Sequence, residues 1–146
     1  MILNQWRILI KKVNKIVDED PILKDKVSID TLSGPFFFGA MSVFDQRINE
    51  QMNLKKSITI LRMQYVPFID TTGIERLRMF IVDRKKKGYI VVLSKLKPEV
   101  EAKLRADIEF VELLKDVPLA TSTLNAIEIS RKILEEQSKK ENKPTN

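Results

Sequence analysis

The residues best placed for chemistry in this sequence are Asp70, Thr71, Thr72 and Gly73. A carboxylate and two hydroxyls precede a glycine, directly ahead of a run with helical periodicity. A helix N-terminus carries N–H groups without intrahelical partners and a partial positive charge. A phosphate or carboxylate is therefore favoured from Thr71 to Ile74. Thr72 and Thr71 are candidate phosphosites. A phosphate there adds about −1.5 to −2 charges, which satisfies local N–H groups and repels a partner's carboxylate. The plainer role is capping: Thr72 with Glu75 matches a capping box, and Asp70 can cap in its place. The two roles are compatible.

What the chain lacks narrows the chemistry further. It has no cysteine and no histidine. That removes thiolate nucleophiles, disulfides, the commonest general acid–base group and the commonest transition-metal ligand. There is no glycine-rich phosphate loop ending in Lys-Ser/Thr. Asp18, Glu19, Asp20 and Asp25 lie close together but lack the ordered spacing of a calcium loop. No catalytic residue, metal site or cofactor is expected, and nucleotide binding has no support in the residues.

The net charge is +6. Basic residues cluster at Arg84, Lys85, Lys86 and Lys87, the end of an expected helix, where they complement its dipole. Contact with an anion or with anionic lipid headgroups is the alternative. No aromatic–basic interleaving accompanies the charge, so nucleic acid is not an expected partner. No apolar run approaches the roughly 20 residues that span a bilayer.

The elements that must position these residues follow from periodicity. Met1 to Val17 places Ile2, Leu3, Trp6, Leu9, Ile10, Val13, Ile16 and Val17 at three- and four-residue steps, one apolar stripe on a helix. Asp20 and Pro21 end it. Residues 1–26 thus read as an amphipathic linker helix. It packs on its own domain or docks on another domain, a membrane surface or a second copy, the last being a route to self-association.

From residue 27 strands and helices alternate. Val27 to Leu32 is a strand, Ser33-Gly34-Pro35 a turn, Phe36 to Phe38 a second short strand and Ala40 to Met52 a helix. Ser57 to Met63 is a strand buried on both faces. Thr72 to Lys87 is a helix closed by Gly88, and Tyr89 to Leu93 a strand. Pro98 opens a helix to about Ala106. Ile108 to Leu114 is a short helical turn, Leu119 to Ser122 a short strand, and Leu124 to Gln137 the last helix. Residues 138–146 read as a disordered polar tail. Alternation of this kind gives a parallel sheet with right-handed crossovers, whose ligands sit beyond the strands' carboxyl ends. The loop there contains Tyr65, Val66, Pro67, Phe68 and Ile69, apolar residues that either pack over the sheet end or form a docking patch.

The order Asp70-Thr71-Thr72-Gly73 after a hydrophobic strand and before an amphipathic helix resembles the STAS family, named for sulphate transporters and anti-sigma factor antagonists. Gly34-Pro35-Phe36-Phe37-Phe38-Gly39-Ala40 resembles the second-strand signature of SulP transporter domains. The resemblance covers about Val27 to Gln137. It implies an α/β fold with a four- to five-stranded, mostly parallel sheet, an opening hairpin and about four helices. It implies a non-catalytic regulatory domain of a SulP-type anion transporter. Such a domain is itself soluble, lies at the cytoplasmic face of the inner membrane and contacts the transmembrane domain. The switch-loop surface would then comprise Asp70, Gly73, Tyr65, Val66, Pro67 and Phe68. In the antagonist branch the hydroxyl residue before the glycine is the phosphorylated one, here Thr72, so a free-standing antagonist is the alternative. The chain departs from the transporter pattern where Lys95 and Leu96 follow Leu93-Ser94 in place of a glycine, and at Asp107 and Ile108.

Overall fold

Residues 58–65 carry apolar side chains in both alternating registers, so the strand they form must be covered on both faces. The computed structural model describes residues 15–33 and 56–141. Among them β1 (Val27–Ser33), β2 (Ile58–Tyr65), β3 (Ile90–Ser94) and β4 (Leu119–Ala120) form one sheet in the order β1-β2-β3-β4. All three pairings are parallel, with Ile60 opposite both Ile29 and Val92. The helices are α1 (Thr71–Lys86), α2 (Pro98–Ala106), α3 (Ile108–Leu113) and α4 (Thr123–Glu141), with a 3-10 turn at Leu114–Asp116. Residues 15–19 are also helical. The hairpin strand at Phe36–Phe38, the helix from Ala40 to Met52 and most of the amphipathic stretch before Val17 lie outside the described residues.

Each strand lies beside its predecessor. Right-handed crossovers that all step in one direction place their helices on one face of the sheet. Accordingly Leu61, Met63, Val91 and Leu93 point into a core with Ile74, Leu77 and Ile81 of α1, Val100 and Leu104 of α2, and Phe110 and Leu113 of α3. The opposite face carries Val27, Ile58, Ile60 and Val92, which pack with Ala126, Ile127 and Leu134 of α4. Val17 and Leu23, from the chain ahead of β1, complete that second core.

Local chemistry sets the helix ends. Tyr89 N–H reaches Arg84 O and Gly88 N–H reaches Lys85 O, a Schellman closure of α1. It holds Gly88 at φ +84, with no heavy atom within 4 Å of where a Cβ would sit; the dihedral, not space, demands glycine. Pro98 stands in the first turn of α2 as its missing N–H allows. Asp107 caps α3 through Phe110 N–H, and Ser122 Oγ accepts from Asn125 N–H at the start of α4. α4 continues to Glu141, past the expected end at Gln137. Its added turn is polar, and backbone bonding carries it onward without apolar contacts.

Candidate functional site

The loop after β2 is built from alternating anchors and exposed residues. Val66 N–H bonds back to Met63 O at 3.0 Å, turning the chain out of the strand. Val66 and Ile69 are fully buried in the core beneath α1. Between them Pro67 is exposed and Phe68 keeps 46% of its surface in contact with solvent. Tyr65 is half-buried. Of the loop residues expected to form a docking surface, then, Val66 faces the core, and Pro67 and Phe68 carry the exposed crest. Lys103 Nζ donates to Ile69 O at 3.1 Å, tying the end of the loop to α2.

Asp70 is the helix cap. Its backbone is extended (φ −100, ψ 178), Oδ1 accepts from Gly73 N–H at 2.8 Å, and its carbonyl accepts from Ile74 N–H at 2.9 Å. Because α1 starts at Thr71, Thr72 already has helical geometry at its second position. The capping box of Thr72 with Glu75 is therefore not what closes this end; Asp70 does so. Thr71 is exposed, Thr72 half-buried and Gly73 buried. Of the two hydroxyl residues, Thr71 is the more open.

The surface around Thr71 extends onto the junction of α2 and α3. Thr71, Glu75 and Arg78 on one side and Ala106, Asp107, Ile108 and Glu109 on the other line a cleft of about 500 Å³. Arg78 Nε and Glu109 Oε2 bridge it at 3.0 Å. Ile108, the residue after the cap, is 84% exposed. The sequence marks Ile108 as the start of a short helical turn and, with Asp107, as a departure from a glycine pattern; an apolar residue directly after a helix cap is the signal for its exposure.

A second cleft, of about 660 Å³, opens at the carboxyl ends of β2, β3 and β4, between Gln64, Tyr65, Lys95 and Thr121 and the start of α2. Lys95 replaces the glycine of the related pattern yet keeps left-handed backbone, φ +55, its N–H bonded to Ala120 O at 2.9 Å.

The basic end of α1 divides. Arg84 is only 4% exposed: its guanidinium lies 4.2 Å from the centre of the Tyr89 ring, and Nη2 donates to Lys56 O at 3.1 Å. Burial lowers its pKa from the ordinary arginine value, with Tyr89 and Asp83 opposing the shift. Arg84 thus serves the fold's interior rather than a lipid or anion surface. Lys85 pairs with Asp116 and Lys87 with Asp83, and Lys86 is exposed. A buried charge that sequence reasoning passed over is Arg62, in the middle of β2, whose Nη1 meets Thr31 Oγ1 at 3.3 Å.

Among the described residues no acidic cluster is arranged to hold a metal ion. No described helix is long and apolar enough to cross a membrane.

A family model for the STAS domain matches residues 22–138. No curated protein matches the sequence. Among solved structures, a sulfate transporter family protein from Wolinella succinogenes is similar at 27% identity and a TM-score of 0.60, covering 82% of this chain and 98% of that one. The murine anion transporter Solute Carrier 26 family member A9 shares the fold at 21% identity and a TM-score of 0.66; the match takes in 72% of this chain and 18% of the transporter. A candidate anti-sigma factor antagonist from Thermotoga maritima shares the fold at 17% identity and a TM-score of 0.61, over 72% of this chain and 87% of that one.

Proposed function

The chain belongs to the STAS domain family, and from that membership we propose that it is a non-catalytic regulatory and protein-interaction domain of a SulP-type sulfate or anion transporter. It contacts the transporter's membrane domain from the cytoplasmic side. The observation that carries this reading is the 27% identity with the Wolinella sulfate transporter family protein over nearly that whole chain. The fold alone does not separate the branches, since the TM-scores of the transporter-family protein and the candidate antagonist are 0.60 and 0.61.

The geometry supports docking over turnover. Among the described residues the strand order β1-β2-β3-β4 contains no reversal, the place where ligand crevices of open parallel sheets commonly form. What the carboxyl end presents is a capped helix start with an exposed hydroxyl at Thr71, flanked by exposed Phe68 and Ile108. Apolar residues beside a positive helix end suit a partner surface with an acidic or phosphorylated group at its centre.

The test is a photo-crosslinking residue at Phe68 in cells that make the protein. Capture of a multi-span anion transporter, with transport changed by Phe68→Ala, is the expected result. The second reading, a free-standing anti-sigma factor antagonist, draws on the accessible Thr71 hydroxyl and the half-buried Thr72 beside it. Capture of a kinase, with stoichiometric phosphate on Thr72 by mass analysis, would establish it and end the transporter reading.

A further inference from the structure

Ahead of β1 the described chain is pinned against α4. Asp20 does two jobs: Oδ1 accepts from Ile22 N–H at 2.8 Å, and Oδ2 meets Arg131 Nη2 of α4 at 2.6 Å, across 111 residues of sequence. Its carbonyl also accepts from Leu23 and Lys24 N–H, so a tight turn is wound directly on the clamp. Val17 on one side and Leu23 on the other are the two apolar anchors, both in the core beneath α4. Between and beyond them the seat is incomplete. Pro21, Ile22 and Lys26 stand off Leu134, Glu135 and Lys139 of α4 across a cleft of about 430 Å³, and Ile16 and Ile22 remain substantially exposed. Asp25 joins this segment to β1 with left-handed backbone, φ +68. Aspartate tolerates that region better than most residues, and Asp25 is exposed.

We infer that residues 15–24 are a releasable strap, clamped on α4 by the Asp20–Arg131 pair and hinged at Asp25, which opens as a unit while the sheet stays folded, Lys26 beyond the hinge remaining bonded through its carbonyl to Ile58 N–H of β2. Segments with two apolar anchors, one partly exposed ion pair and a hinge belong to the low-stability end of a domain. Opening uncovers the apolar strip of α4 that Val17 and Leu23 cover. This inference does not depend on the transporter reading.

Hydrogen exchange on the full chain tests it. In the wild type, amides of residues 22–24 exchange faster than those of Ile60 and Val92. Asp20→Asn keeps an acceptor for Ile22 N–H but loses the charge, and Arg131→Met removes the other half of the clamp. Each speeds strap exchange by roughly threefold or more and leaves β2 and β3 unchanged. The double variant goes no further than the faster single one, since both break one interaction. Equal exchange of strap and sheet in the wild type would overturn the inference. So would acceleration of β2 and β3 together with the strap, additive effects in the double variant, or single variants whose strap exchanges as before.

Discussion

Asp70 Oδ1 accepts the Gly73 N–H at 2.8 Å, so the start of α1 is closed by the residue just outside it and both threonines lie within the helix. Asp70→Ala removes that acceptor and is expected to destabilise the domain by about 1 kcal/mol. Asp70→Ser or Asp70→Asn should keep most of the stability. Urea unfolding of the three variants checks the order.

Thr71 stands at the first position of α1, a turn that contains no acidic residue. Thr71→Glu places a negative charge at the positive end of the helix and is expected to raise stability by about 0.3–1 kcal/mol. The same charge should weaken crosslinking from Phe68 to an acidic partner surface. A stability gain paired with weaker capture separates the docking role of this turn from its folding role.

Lys95 and Gly88 make a matched pair of left-handed positions, at φ +55 and φ +84. Lys95→Gly relieves a side-chain clash with its own backbone and should stabilise by up to about 1 kcal/mol, while Gly88→Ala should cost about 1–2 kcal/mol. Thermal melts of the two variants should move in opposite directions.

Asp20 has its pKa lowered from the ordinary value of 3.8, first by the Ile22 N–H and then by Arg131, against the cost of burial. A carboxyl whose folded pKa is depressed contributes stability that is complete above its unfolded pKa and is lost as pH falls through the folded one. The stability difference between wild type and Asp20→Asn should therefore be constant above about pH 5 and shrink below pH 3.8. Urea unfolding across pH 2 to 6 reads this directly.

Arg84 bridges Lys56 O and the face of Tyr89 from a buried position. Arg84→Lys cannot reproduce the planar stacking and should cost about 1–3 kcal/mol. Sedimentation with anionic vesicles should be unaffected by it. If vesicles bind this end of α1 at all, Lys86→Gln should reduce that binding.

Much of the frame was legible because β2 and β3 are short apolar runs and Gly88 and Pro98 mark boundaries by backbone restriction alone. The start of α1 was legible in its residue types but not in its register. Asp, Thr and Thr are all competent caps, and only the extended backbone at Asp70 decides between them. Burial of charge was the harder quantity. Arg84 sits in a basic run that reads as a solvated helix end, and what draws it inward is Tyr89, a ring beyond the helix. Contacts between residues far apart in the chain leave no periodic trace, which is why the Asp20–Arg131 clamp and the cleft between Thr71 and Ile108 emerged only in three dimensions.

The shortness of β4 has a consequence for how the molecule behaves in a crowd. A sheet border normally offers a row of open amide and carbonyl groups that a foreign strand can extend. Among the described residues the border at Leu119–Ala120 is two residues long, and Ser122 turns the chain straight into α4. A template of that length gives an incoming strand little to register against, and Pro118 just ahead of it has no N–H to offer, so this border resists growth into fibrils.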